Sequence, residues 1–183
     1  MNYALDDTYL KEKIQEIIKN YNINTIIETG INNGDSTIEF SKMVEKVIGI
    51  DIMESCIHTT YEKLEKHSIQ NVELYIGNSP EILSKIIPSI DVDNTIFFFD
   101  AHWYDYWPII DEIEKIPKNK GIIIVHDFFV PNNTDLGYDV YKNIKFDYEY
   151  IKNALNDWSP THRVEYNSKA NGSCRGVGFI YNS

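Results

Sequence analysis

Residues able to do chemistry follow directly on short apolar runs, again and again, along this chain. TII leads to Glu28, VIGI to Asp51, IFFF to Asp100-Ala101-His102, and IIIV to His126-Asp127. Carboxylates and imidazoles in such places can accept sugar hydroxyls, hold a cation or move a proton. The spacing around Glu28 is the most specific. Gly30-Ile31-Asn32-Asn33-Gly34 is a glycine turn, and Asp35-Ser36-Thr37 supplies helix-starting residues. TIIETGINNGDSTIEF therefore reads as a buried strand turning sharply into a helix, with glycines where a ligand lies close to the backbone. Glu28 would repel a bare phosphate, so hydroxyl or amino groups suit this turn better.

Elements that must position these residues are legible from the apolar pattern. Leu10, Ile14, Ile17, Ile18 and Tyr21 recur at helical spacing, predicting an amphipathic helix within the first twenty residues. Strand-like runs follow at 25–29, 47–51, 72–76, 95–100 and 121–126, separated by helical patterns at 36–45, 56–67, 80–87 and 105–116. Short apolar strands alternating with helical crossovers predict an α/β, doubly wound parallel sheet covered on both faces. Beyond the loop at Pro131, residues 146–158 read as one more helix. Strand-like 162–167 and 175–181, joined by a polar turn, read as a hairpin closing the sheet. Ligands of such sheets bind outside the carboxyl ends of the strands, where all the residues above would converge.

Asp51 lies 17 residues beyond Gly34 at a neighbouring strand tip, where it can accept both hydroxyls of a ribose. That suits NAD-type and S-adenosylmethionine-type cofactors alike. The turn is GxxxG rather than the GxGxxG that admits a pyrophosphate. Simpler roles compete: Gly30 and Gly34 for a tight turn alone, Asp51 or Ser55 as a helix cap, Ser79 as an N-cap with Pro80 behind it.

Composition bounds the rest. At 43% apolar and 25% charged, the 183 residues are ordinary for one soluble domain. A net charge of −11 argues against a broad nucleic-acid footprint or an anionic membrane surface. No apolar stretch is long enough to span a bilayer, the first residues are not a signal peptide, and Cys56 and Cys174 lack paired spacing. A cytoplasmic setting is expected.

The motifs ETGxxxG, GIDI, NVELYIGNSPEIL, FFFDAHW and GIIIVHDF, in that order, resemble a class I S-adenosylmethionine-dependent methyltransferase, and more narrowly the small-molecule O-methyltransferases of the catechol and macrolide-sugar kind. The resemblance implies a Rossmann-like sheet of seven strands in the order 3-2-1-4-5-7-6, the last strand antiparallel. It implies a single domain over 1–183: an N-terminal helix (1–22), a cofactor core (23–130) and a substrate-side loop, helix and hairpin (131–183). Glu28, Gly30, Asn32 and Gly34 would line the methionine moiety of S-adenosylmethionine. Asp51 would hold the ribose, Ile52 the adenine face, and Asn78 and Ser79 the adenine edge, with Asp100 near the sulfonium.

Metal-dependent members of that family place magnesium at the positions of Asp100, His126 and Asp127, so Mg2+ or Mn2+ is a second expected cofactor. The catechol enzymes have Asp-Asn where Asp127-Phe128 stands, and the sugar enzymes an acidic pair at His126-Asp127. His102 is the expected base, oriented by Asp100. A small-molecule acceptor would lie near Phe128, Phe129, Tyr138 and Tyr141. Trp103, Tyr104, Tyr106 and Trp107 form either an aromatic wall or ordinary packing, and Arg163 and Arg175 are candidates for an anionic acceptor. His58, His67 and His162 are read as incidental. Without an inserted cap, either a homodimer partner completes the acceptor pocket or a large acceptor reaches in from solvent. Two other readings stay open: an NAD-linked oxidoreductase, for which no Tyr-Lys arrangement is visible, and a non-catalytic S-adenosylmethionine-binding protein.

Overall fold

Five consecutive buried residues in one strand after another, with no polar alternation, require a sheet covered on both sides. In the computed structural model, which describes residues 3–102 and 106–182, these strands include β1 (Thr25–Thr29), β4 (Thr95–Phe99) and β5 (Ile122–His126). With β2 (Lys46–Asp51), β3 (Val72–Ile76), β8 (Arg163–Tyr166) and β9 (Val177–Tyr181) they form one sheet, ordered β3-β2-β1-β4-β5-β9-β8. The first five strands are parallel, and β9 runs antiparallel to both β5 and β8. The doubly wound sheet and its final antiparallel strand match the expectation.

Side chains divide between the two faces with the strand period of two. Ile27, Phe97, Phe99, Ile123 and Val125 pack against α4 (Ser79–Ile86), α5 (Ile109–Ile113) and α6 (Tyr148–Trp158). Ile26, Ile96, Phe98, Ile122 and Ile124 pack against α1 (Thr8–Tyr21) and α2 (Asp35–Ser41). Burying each such side chain contributes roughly 1.5–3 kcal/mol. The remaining helix, α3 (Glu54–Lys66), lies along β2 and β3.

Element ends differ from the sequence reading for identifiable reasons. The first helix starts only at Thr8, because Asp7 caps it by accepting from Tyr9 N at 2.9 Å. α2 stops at Ser41 rather than 45, since the Asn71 side-chain amide donates to the Ser41 and Val44 carbonyls and ends the helix there. α4 starts one residue early: Asn78 is its N-cap position, no side chain caps it, and Ser79 lies inside the helix. α5 is short, with Pro108 at its N-cap; Asp105, where the helix was expected to begin, lies outside the described residues. The loop after β5 holds an unforeseen two-residue hairpin, β6 (Val140–Tyr141) and β7 (Ile144–Lys145). Lys142 and Asn143 both have positive φ, as its tight turn requires.

The turn between β8 and β9 folds back onto the N-terminus. Asn171 Oδ1 accepts from Thr8 N at 2.8 Å, and Asp6 Oδ1 accepts from Ser173 N at 2.9 Å. This clasp carries Tyr3, Ala4, Ser173 and Arg175 to the same end of the sheet as the carboxyl ends of the parallel strands.

Candidate functional site

From β1 the chain winds outward to β2 and β3, then returns to lay β4 on the other side of β1, so a crevice opens at the strand tips where the winding reverses. A cavity of about 470 Å³ occupies it, lined among others by Gly30, Asp51, Asn78, Asp100 and His102. Asp51 is buried and rigidly held. Its Oδ2 accepts from Asn32 N at 2.9 Å and its Oδ1 from Met53 N at 2.8 Å. Each oxygen keeps a second lone pair. Asp51 does not cap α3: the N-cap is Met53, which no side chain caps, and Asp51 accepts from the Met53 N–H just ahead of the helix.

Gly30 has φ +76°, and a Cβ there would lie 2.6 Å from the Asp100 carbonyl oxygen. Its need is protein packing: it presses the end of β1 against the end of β4. Gly34 lines neither this cavity nor the one beside it. The space it leaves is filled by Thr60, whose side chain a Cβ would meet at 2.4 Å.

A second cavity of about 250 Å³ adjoins the first; Gly30, Asn32, Asp100 and His102 line both. Glu28 forms part of its wall and is 1% exposed. Burial pushes its carboxyl up to about 8, against the pull of the Thr37 hydroxyl, which donates to it at 2.6 Å. Glu112 is fully buried, and burial raises it to about 7 although the Thr29 and Ser79 hydroxyls are close. Among the described residues neither Glu112 oxygen has a hydrogen-bond partner at normal distance.

The far wall of the second cavity is a charge cluster. His126 Nδ1 lies 3.1 Å from Asp100 Oδ1 and 3.3 Å from Asp127 Oδ1. Burial alone would lower the imidazole, but the two carboxylates outweigh it and raise it to about 10. Asp127, left-handed at φ +59°, is held below the usual carboxylate range: burial opposes this, and His126 and Arg175 prevail. Arg175 Nε donates to Asp127 and Nη2 to Asp139. Asp100 is raised, chiefly by burial, despite His126.

These shifts fix a pH dependence. Folded Glu28, Glu112 and His126 all keep protons that the unfolded chain has lost, so stability falls as pH rises through their windows. The windows run from the ordinary carboxyl range up to about 8 for Glu28 and about 7 for Glu112, and from the ordinary imidazole range up to about 10 for His126. Asp127 acts oppositely, and only in acid. Each such group is worth up to about 1.4 kcal/mol per pH unit inside its window. Thermal melts of the ligand-free chain are expected to peak near pH 5 and to decline steadily to pH 9; Glu28→Gln should flatten the slope, and a rise over that range would contradict the assignment.

A methyltransferase-domain family matches residues 22–171. The chain belongs to the class I S-adenosylmethionine-dependent methyltransferases. A relative from Methanococcus maripaludis, named "Probable cobalt-precorrin-6B C(15)-methyltransferase (decarboxylating)", is 26% identical over 133 residues, 67% of either chain. Among solved structures, the O-methyltransferase from Bacillus cereus in complex with SAH superposes with a TM-score of 0.70 at 16% identity, covering 94% of this chain and 80% of that one. The precorrin 8W decarboxylase of Methanobacterium thermoautotrophicum gives 0.57 at 20% identity, covering 93% and 89%. At these identities the structural likeness shows the fold.

The methyltransferase's larger cavity suits its cofactor. Its volume falls within the roughly 300–1,000 Å³ of small-ligand sites, and Asp51 retains acceptor capacity for sugar hydroxyls. The charge cluster suits a divalent ion less well. Asp100, His126 and Asp127 do converge, each with one ligand atom within 4.8 Å of the others. As folded, however, Asp127 is taken by Arg175, and His126 Nδ1 is turned towards the two carboxylates.

Other expected residues fall where the fold puts them. Ile52 is half exposed at the mouth of the larger cavity, with Asn78 and Ser79 on its wall. Phe128, expected at the acceptor, is fully buried against Phe146 and Tyr166. Phe129 and Tyr138 pack on each other, and Trp107 packs on Phe146 and Tyr150 of the α6 region. Trp103 and Tyr104 lie outside the described residues. Arg163 opens β8 opposite Tyr181, at the end of the sheet away from the site, and cannot meet an acceptor there. His162 is structural, bonding the Ser159 carbonyl and Tyr148. Cys56 and Met53 of the cavity wall, Asp139 and Glu112 were missed. For Glu112 a signal existed: it falls in phase with Ile109, Ile113 and Ile116, on the face that turns inward.

Proposed function

We propose that this methyltransferase acts on an oxygen of a small-molecule acceptor held in the second cavity. The observation that carries the reading is the junction: Asp100 and His102 line both cavities, so a donor in one and an acceptor in the other would meet beside an imidazole. When bound, S-adenosylmethionine supplies a methyl group on a positively charged sulfur, open to in-line displacement.

The chain's own residues do the remainder. Asp51 holds the ribose hydroxyls, with Ile52 on the adenine face and Asn78 and Ser79 at its edge. Glu28, Gly30 and Asn32 face the methionine end. Asp100 places negative charge near the sulfonium. His102 takes the hydroxyl proton of the acceptor, and alignment with exclusion of water supplies the rest of the acceleration. Glu28 would face the methionine ammonium as a carboxylate, its proton passing to solvent, since a neutral carboxyl would leave that charge unpaired. The acid-rich junction favours a neutral acceptor over an anionic one. A second copy of the chain is the proposed partner for closing the outer mouth, and the cytoplasm the proposed setting. The −11 net charge supports neither nucleic acid nor membrane as partner, and no helix among the described residues is long and apolar enough to cross a membrane.

The test is turnover of labelled S-adenosylmethionine on a panel of hydroxyl-bearing small molecules, with product mass and site of methylation determined. His102→Ala is expected to lower kcat by about 100-fold or more while leaving S-adenosylhomocysteine affinity unchanged. Unchanged turnover would remove His102 as the base. The relative named as a cobalt-precorrin-6B C(15)-methyltransferase favours a second reading, methylation of carbon on a precorrin-type acceptor; a carbon-methylated product would establish it. Stabilisation by NADH and not by S-adenosylhomocysteine would overturn both.

A further inference from the structure

The charge cluster at the end of β5 contains more than a metal site would need. Three carboxylates, Asp100, Asp127 and Asp139, stand around two groups that carry or bind protons, His126 and Arg175. The guanidinium is the better fixed of the two. Nε and Nη2 each donate to a different carboxylate, so Asp127 and Asp139 are bridged by one planar fork.

The backbone around that fork is shaped to hold it. Gly137 N donates to the Cys174 carbonyl at 2.9 Å, and Gly176 N donates to the Gly137 carbonyl at 2.8 Å, so Arg175 is pinned on both sides to one glycine. A Cβ at Gly137 would lie 2.9 Å from Arg175 Nη1; the absent side chain is the room the guanidinium occupies. Asp139 N donates to the Asp127 carbonyl at 2.9 Å, and Phe128 N to the Gly176 carbonyl at 2.9 Å. The strand end, the loop that follows it and the start of β9 are thus tied together around one cation.

We propose that Arg175 is the resident cation of this site: clamped between Asp127 and Asp139, it takes the place that a divalent ion would need, and the chain binds its cofactor and orients its acceptor without a metal. A divalent ion entering the cluster would meet a guanidinium already paired with Asp127 and Asp139. Arg175 is a positioning residue: it reaches the reaction through Asp127 and the loop carrying Asp139. Only the mention of an acceptor rests on the function proposed above; the clamp itself does not.

The deciding experiment titrates Mn2+ into the full-length chain, with free Mn2+ followed by electron paramagnetic resonance, with and without S-adenosylhomocysteine. The wild-type chain is expected to show no stoichiometric Mn2+ site up to about 1 mM, and EDTA to leave S-adenosylhomocysteine affinity unchanged. Arg175→Met frees Asp127 and Asp139 and is expected to gain Mn2+ binding by at least about tenfold, with melting temperature lowered and partly restored by Mn2+. Arg175→Lys is expected not to restore wild-type stability, because a point charge cannot bridge two carboxylates as a fork does. One Mn2+ bound per wild-type chain and lost in Asp127→Asn would overturn the proposal, as would loss of S-adenosylhomocysteine affinity on chelation. Should Arg175→Met fail to fold, the wild-type titration decides alone. A carbon-methylated product would defeat the proposed function and leave the clamp intact.

Discussion

Asp51→Ala is expected to weaken S-adenosylhomocysteine binding by about 100-fold or more, the largest loss of affinity for any single side chain in the cavity. The carboxylate works in two directions at once. Towards the protein it accepts from Asn32 N and Met53 N, fixing the glycine turn and the entry to α3. Towards the cavity its remaining lone pairs are open, and the proposed function gives them to the sugar hydroxyls. Truncation leaves two inward-turned amides without their acceptor and the hydroxyls without theirs, and losses of this kind cost about 2–5 kcal/mol. Asp51→Asn should fall between, near tenfold, since its amide oxygen still accepts while its NH2 meets a donor. Calorimetric titration of both variants checks this, with circular dichroism to show that they fold. Affinities within about threefold of wild type would mean that the ribose lies elsewhere.

Gly30→Ala attacks the same site through the backbone. The left-handed conformation costs an L-residue about 1–2 kcal/mol. The new methyl would also sit 2.6 Å from the Asp100 carbonyl oxygen and 2.7 Å from Ala101 Cα, which are backbone atoms held by the strand ladder. Overpacking against such atoms adds about 1–3 kcal/mol. For a chain of this size the sum corresponds to a fall in Tm of roughly 5–15 °C, with cofactor affinity lost as the β1 and β4 tips part. Gly137→Ala is the internal contrast. Its methyl meets side-chain atoms of Arg175 rather than backbone, so it should cost less stability than Gly30→Ala while disturbing the Arg175 clamp. A Gly30→Ala chain melting within about 2 °C of wild type would show that the strand tips have slack.

The residues that carry these effects were unequally visible beforehand. Glu28, Asp51, Asp100 and His126 could be found because each ends an apolar run, and in a parallel sheet every strand end reaches the same edge. Gly30 was found for an incomplete reason. Its spacing showed a turn, but the partner that forbids a side chain there is the Asp100 backbone, 70 residues away. Gly34 resembled a ligand contact and serves Thr60 instead. Phe128 resembled a pocket residue and fills the core, because a residue following a buried strand can point either way. Arg175 was legible only as a cation on the closing hairpin, a candidate for an anionic acceptor; its carboxylate partners were not, and Asp139 carried no local signal at all. Only the antiparallel return of β9 beside β5 brings Arg175 to Asp127.

The amino-acid order by itself determined the layered α/β architecture, the edge at which the strand tips gather their polar residues, and an acid there with lone pairs to spare. Those follow from short-range rules: the period of apolar residues, the stereochemistry of glycine, and the fact that parallel strands all end on one side. Tertiary structure alone decided how far each tip projects, which glycines face protein and which face the cavity, and how the buried charges pair. Pairing depends on distances between residues far apart in the chain, and burial sets how strongly each pair shifts its protons; neither quantity is written in local spacing.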